Sequence, residues 1–187
     1  GLDHLLNAAG LKVEEVDGIA VALGPGSFTG MRIGVTTAKT LAYSLGKPIV
    51  GIPTLDALAQ NFPLTDQLLC PILDARKQEV YWAFYRLGGQ QIQRVSAYQV
   101  GPIEEVLRKV GEPTLFLGNG LLLYRNQIEQ ALGEKAFFAD PAHSSPKGSF
   151  IAQLGFQRLA RKDTDDPFSL TPLYVRRSDA EIFWEKR

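Results

Sequence analysis

One cysteine, two histidines, no excess of either charge and no long apolar run set the first limits on this chain of 187 residues. Cys70 has no partner for an internal disulfide, and with only His4 and His143 beside it the chain lacks the soft ligands of an ordinarily spaced zinc site. Such sparing use of thiols fits a reducing, cytoplasmic compartment. Twenty Lys and Arg balance twenty Asp and Glu, whereas a dedicated nucleic-acid binder shows a basic excess. Gly, Pro or a charge interrupts every apolar stretch within about ten residues, far short of the roughly 18 that cross a bilayer, so no membrane is expected among its partners. No basic segment followed by an apolar core and a small-residue cleavage site opens the chain, which argues against a signal peptide.

Forty-five per cent hydrophobic and 21% charged residues indicate a folded domain or two small lobes rather than disorder. Leu2, Leu5, Leu6 and Ala9 follow the spacing of an amphipathic helix that is already under way at Gly1 and stops at Gly10. Ile19 to Leu23 reads as a strand buried on both faces, Met31 to Leu45 as a helix closed by Gly46, and Pro48 to Ile52 as a second strand. Thr54 then caps a helix through Leu55, Leu58 and Ala59. This alternation predicts an α/β fold with a parallel or mixed sheet covered by helices. Beyond Pro63 the composition shifts, which places a lobe boundary between residues 62 and 63. Leu68 to Leu73, Val80 to Leu87 and the more polar Gln91 to Val100, turning at Gly88-Gly89, predict antiparallel strands. Helices are expected over Ile103 to Val110, Leu121 to Leu132 and Phe150 to Arg161, with a short strand at Thr114 to Leu117.

Gly24-Pro25-Gly26-Ser27-Phe28-Thr29-Gly30 joins a buried strand to a helix N-terminus, a place that suits anions. The P-loop template fails, because Thr29 or Met31 stands where its second glycine should be and no lysine follows. A dinucleotide fingerprint fails as well: Gly30 comes one residue late, and no carboxylate lies between Asp17 and Asp56. From spacing alone, the glycines make a tight turn, with Ser27 or Thr29 capping the helix.

The stretch from Gly24 through Met31-Arg32-Ile33-Gly34, continued by Ala38-Lys39-Thr40-Leu41-Ala42 and by Gly51-Ile52-Pro53-Thr54-Leu55-Asp56-Ala57-Leu58-Ala59, resembles the signature of the bacterial TsaB (YeaZ) family. Asp74-Ala75-Arg76-Lys77-Gln78-Glu79-Val80-Tyr81 and Pro172-Leu173-Tyr174-Val175-Arg176-Arg177-Ser178-Asp179-Ala180-Glu181 agree with it. The resemblance implies the ASKHA fold of actin, Hsp70 and sugar kinases, with two related lobes: residues 1–62 as the remainder of the first and 63–187 as the second. It also implies that about 40 residues carrying the family's opening strands precede Gly1, a figure taken from strand and helix lengths.

Function by resemblance is that of a noncatalytic dimerisation and activating subunit. Such a subunit pairs with TsaD for N6-threonylcarbamoyladenosine modification of tRNA beside the anticodon. TsaD holds a metal on a His-x-x-x-His pair, and Thr54 and Leu58 stand at those positions here. Neither ligates metal, so no catalytic residue, metal or cofactor is expected. The family pairs through the two helices flanking the first buried strand, which predicts contact residues Leu2, Leu5, Leu6, Ile33, Gly34, Thr37, Ala38, Leu41, Ala42 and Leu45, with both sides of the second helix in use. A TsaE-like ATPase and self-pairing in isolation are further expected associations, and contact with tRNA is expected only indirectly. Arg32 and Lys39 flank the glycine loop, where a phosphate or an ion pair to Asp56 would occupy them. His143 is expected at the surface, and the C-terminal charges as a mixed solvated face. Two other readings stay open: a nucleotide-binding phosphotransferase or ATPase using the glycine loop and Gly118-Asn119-Gly120, and a homodimeric scaffold.

Overall fold

A computed structural model describes residues 1–63 and 65–176. The first lobe is built on two strands, β1 (Ile19–Gly24) and β2 (Ile49–Pro53), paired in parallel from Ile19↔Ile49. Alternation along β1 divides its side chains. Ile19, Val21 and Leu23 face helix α2 (Phe28–Leu45) with Val35, Ala38, Ala42 and Ile49, whereas Ala20 and Ala22 lie on the opposite side with Val50 and Ile52. Helix α1 (Leu2–Ala9) precedes β1 and buries none of its residues; Gly10, in the left-handed region, caps it.

Short helix α3 (Thr54–Ala59) links the lobes. Leu55, Leu58 and Ala59 pack on the second-lobe sheet, while Ala57 packs in the first. That second sheet has seven strands, with β3 (Leu68–Asp74) at its centre. Antiparallel to one edge of β3 run β4 (Glu79–Trp82) and β5 (Tyr85–Gly88), in one unbroken register from Asp74↔Val80 to Leu69↔Tyr85. The expected strand over Val80 to Leu87 is therefore continuous in space, broken only in its hydrogen bonding near Ala83. The expected strand from Gln91 to Val100 is divided into β6 (Gln91–Arg94) and β7 (Gln99–Pro102). At the break the Ser96 hydroxyl accepts the Phe84 N–H at 2.8 Å, a side-chain bond across the strands that interrupts the ladder. On the other edge of β3 lies parallel β8 (Thr114–Leu117), followed by β9 (Ala136–Phe138), which the sequence pattern did not reveal.

Both faces of this sheet are covered. Leu68, Cys70, Ile72, Trp82 and Phe116 point to helices α4 (Ile103–Lys109) and α5 (Leu121–Leu132); Leu69, Leu73, Leu115 and Leu117 point to α3. Two covered faces explain why β3 and β8 read as continuous apolar runs.

The chain then returns to the first lobe, unlike the expected division in which everything after residue 62 belongs to the second. Helix α6 (Gly148–Ala160) packs Ile151, Leu154 and Leu159 against Val50 and Ile52. A Cβ on Gly155 would meet the Ala20 Cβ at 2.4 Å, so only glycine lets α6 lie this close to β1. Asp165 N–H donates to Ile49 O, Leu170 joins the α2 cluster, and Leu173 N–H donates to Leu23 O. Nothing in the composition signals this return, which depends on a long-range apolar match.

Candidate interaction face and interlobe cleft

Ser27 caps α2, its Oγ accepting the Gly30 N–H at 3.4 Å, while the Met31 N–H donates to Ser27 O. Gly24 is left-handed, with φ of 103°, and a Cβ there would meet the Met31 sulfur at 2.0 Å. These contacts support the turn-forming reading of Gly24, Pro25, Gly26, Ser27, Thr29 and Gly30, because the Ser27 hydroxyl caps the helix and takes up one of its first-turn donors, that of Gly30.

The eighteen-residue helix that follows has two distinct sides. Val35, Ala38 and Ala42 are buried against the sheet, and Gly34, Leu41 and Leu45 are half-buried. Thr37 is exposed, together with Ile33 at 63% and Tyr43 at 67%. Of the residues expected to meet a partner, Ala38 and Ala42 thus belong to the chain's own core; both sides of the helix cannot be surface when one of them covers β1 and β2. On α1, Leu2 is exposed and Leu5 is 66% exposed, with Leu6 half-buried. Tyr43, absent from the expected set, forms an edge-to-face pair with Phe168 at 5.3 Å, and both rings remain in solvent. The helical periodicity could have identified Tyr43, but its alignment with Phe168 arises only from the return of the chain.

Between the lobes lies a cleft of about 600 Å³. The glycine loop and the start of α2 form one wall, the β3–β4 loop the second, and residues 173–176 the third. Arg32 lies 4.1 Å over the Phe28 ring and donates from Nε to Tyr174 Oη at 2.9 Å, which fastens the tail to α2. Arg176 donates to Ala75 O at 3.1 Å and pairs with Glu79 at 3.2 Å, so the same tail holds the second lobe. The sequence pointed to Arg32 but not to Phe28, Tyr81, Tyr174 or Arg176, whose convergence requires segments far apart in the chain.

Lys39 donates to the carbonyls of Phe168 and Leu170, at 3.2 and 2.8 Å. It therefore braces the tail instead of pairing with Asp56 as the sequence reading allowed. Asp56 accepts from Tyr85 Oη at 2.6 Å and from Tyr98 Oη at 2.8 and 2.9 Å. Burial raises the Asp56 carboxyl above its ordinary 3.8, while the two phenol hydrogen bonds and the Arg94 charge pull it down. Desolvation raises both tyrosines too, as does the Asp56 charge beside them. Asp74 organises its turn, Oδ1 accepting the Arg76 N–H at 2.8 Å. Asn119 Oδ1 accepts the Asp74 N–H at 3.0 Å, so Gly118-Asn119-Gly120 secures the end of β3 and lines no part of the cleft.

Thr54 and Leu58 are buried on α3. Among the described residues, no three His, Cys, Asp or Glu side chains are grouped to hold an ion. His143 is half-buried against Phe62 with ring centroids 5.4 Å apart, a correction to its expected surface position. Arg158 pairs with Asp163 and Asp165 and donates to Gly51 O, so this part of the C-terminal charge cluster braces the first lobe. Residues 177–187, including Arg177, Asp179, Glu181, Glu185, Lys186 and Arg187, lie outside the described part. No described helix is long and apolar enough to cross a membrane.

A family model for TsaD, tRNA N6-adenosine threonylcarbamoyltransferase, matches residues 2–184. The chain is 39% identical over 183 residues to the Bacillus subtilis tRNA threonylcarbamoyladenosine biosynthesis protein TsaB, covering 96% of this chain and 78% of the relative. It is 27% identical over 198 residues to the Haemophilus influenzae protein of the same name, covering 99% and 79%. A solved structure titled YeaZ from Pseudomonas aeruginosa aligns with a TM-score of 0.77 and 26% identity, covering 92% of this chain and 81% of that one. A parallel strand pair and a seven-stranded mixed sheet, each flanked by helices, with this likeness in sequence and structure, are those of the ASKHA fold, and the chain belongs to the TsaB (YeaZ) family.

Proposed function

We propose that this chain is a noncatalytic partner subunit that pairs with a TsaD-type subunit in the cytoplasm and thereby supports N6-threonylcarbamoyladenosine formation in tRNA. The observation that carries the reading is the outer side of α1 and α2, where Leu2, Leu5, Ile33 and Tyr43 stand in solvent although the same α2 buries Val35, Ala38 and Ala42. Large apolar groups left outside a well-formed core mark a docking surface. The noncatalytic part of the reading rests on Thr54 and Leu58, whose side chains cannot supply the metal ligands of a TsaD-type site. Self-pairing through the same face is expected when the partner is absent.

Co-purification with a TsaD-type subunit tests the reading. Ile33→Arg is expected to abolish complex formation while leaving the unfolding free energy within about 0.5 kcal/mol of the parent, since the site is exposed. Phe156→Arg, an equally exposed change on α6, should leave the complex intact. A complex that survives Ile33→Arg removes α2 from the interface. The phosphotransferase alternative is disfavoured by Asn119, whose side chain is occupied in securing β3.

A further inference from the structure

Phe168 is 73% exposed, yet the turn that carries it is held from several sides. Asp166 accepts the Phe168 N–H on Oδ1 at 3.0 Å and the Ser169 N–H on Oδ2 at 3.2 Å, and its backbone carbonyl accepts the Leu170 N–H at 2.9 Å. Hydrogen bonds from Phe168 and Ser169 hold the Asp166 carboxyl below its ordinary 3.8, so it stays charged at neutral pH and keeps accepting them. From the other side Lys39 of α2 donates to the carbonyls of Phe168 and Leu170. Leu170 is buried in the α2 cluster and anchors the far end of the turn.

The ring held out by this turn continues the outer side of α2. Phe168 meets Tyr43 edge to face, and neither ring belongs to a core cluster. From Tyr43 the exposed strip runs along α2 through Thr40 and Thr36 to Ile33. The only charges between Phe28 and Leu45 are Arg32 and Lys39, and both are turned to the tail, one onto Tyr174 and the other onto the two carbonyls. Thr40 donates to Thr36 O at 3.0 Å, so its hydroxyl proton is satisfied within the helix and needs no water. Large apolar groups with no charge to desolvate between them suit an apolar protein surface, not a phosphate backbone.

We propose that Phe168, together with Tyr43, is a preorganised aromatic anchor of the docking face and seats against an apolar surface of the TsaD-type subunit. The anchor rests on the pairing proposed above and adds to it a segment of the tail far from α2 in the chain. Buried rings supply much of the energy of protein interfaces, and a turn already fixed before docking loses little freedom when it docks. Stability of the chain itself does not require the ring, because Leu170, two residues on, already ties the turn to the core. The partner is favoured over a second copy because the anchor is continuous, through Tyr43, with the side of α2 that carries Ile33.

Titration calorimetry of the chain with a purified TsaD-type subunit tests the anchor. Phe168→Ala is expected to weaken the pair about tenfold or more while leaving the circular dichroism and thermal midpoint of the chain unchanged. Phe168→Tyr, which keeps the ring, should bind as the parent does. Asp166→Ala, which frees the turn and leaves both rings in place, should weaken the pair by a smaller factor. Phe156→Ala removes an equally exposed ring on α6 and should change nothing. Parent-like affinity in Phe168→Ala, with Ile33→Arg still losing the partner, overturns the anchor and leaves the pairing through α2 standing. No complex with the parent chain overturns both. An equal loss in Phe156→Ala, or no recovery in Phe168→Tyr, overturns the anchor, as does a Phe168→Ala variant that loses only self-association in sedimentation, which would make a second copy the occupant.

Discussion

The two lobes differ in where most of their aromatic rings lie. In the second, Trp82, Tyr85 and Phe116 are completely buried between layers. In the first, the core is made of small aliphatics such as Val35, Ala38, Ala42 and Val50, while Phe28, Ile33, Tyr43, Phe156 and Phe168 stand outside. Aromatic area contributes most when it is removed from water, and the second lobe removes it internally. The first lobe keeps it available for another molecule. One sheet is therefore a folding core, and the other is a platform whose helices face both inward and outward.

The sharpest way to break this comparison is to place the same charge on the two sides of α2. Ala38→Arg buries an unpaired cation beneath the helix and is expected to cost about 4 kcal/mol or more, leaving the chain largely unfolded in chemical denaturation. Ile33→Arg, only five positions earlier, should be thermodynamically silent and lose only the partner. Equal loss of stability in both variants would mean that α2 has no free side.

A smaller effect is expected at the join between β3 and β8. Gly118 has φ of 106°, and a Cβ there would lie 2.2 Å from Ile72 O. Gly118→Ala should cost about 1–3 kcal/mol, visible as a lowered thermal midpoint. Gly26, which has open space around it, should accept alanine with little change.

The smallest effect concerns the Asp56–Tyr85–Tyr98 cluster, where α3 of the first lobe meets the second-lobe sheet. Because burial raises the folded-state value of Asp56 above 3.8, the native state holds its proton more tightly than the unfolded one. Stability from this group is complete below 3.8 and is lost as pH rises through the raised value. Asp56→Asn cannot titrate. Its stability relative to the parent should therefore improve from acid toward neutral pH, as followed by urea midpoints. A constant difference across that range would show that the phenol hydrogen bonds cancel the burial.

Much of the first 60 residues was legible because each element there is short, locally periodic and ended by glycine. Gly10 and Gly46 close α1 and α2, and Ile19 to Leu23 forms β1 as its apolar run indicates. The divided strand pair β6 and β7 was not legible, since its break depends on Ser96 bonding to a strand opposite. Nor was the cleft: Arg32 was a visible cation beside a glycine loop, but Tyr174 and Phe28 become its partners only when the tail crosses back. Ala38 and Ala42 were read as small enough for helix contact, which was correct chemistry applied to the wrong neighbour.

Sequence alone determined the class of fold, the positions of most helices and inner strands, and the family, because these depend on local periodicity, turn residues and extended motifs. Tertiary structure decided which side of α2 stays in solvent, where α6 and the tail pack, and which residues from distant segments line the interlobe cleft. Those outcomes depend on pairings between segments more than one hundred residues apart, such as Arg32 with Tyr174 and Gly51 with Asp165. Periodicity shows that a helix has an apolar side; only the packed sheet beneath α2 reveals which side it has used.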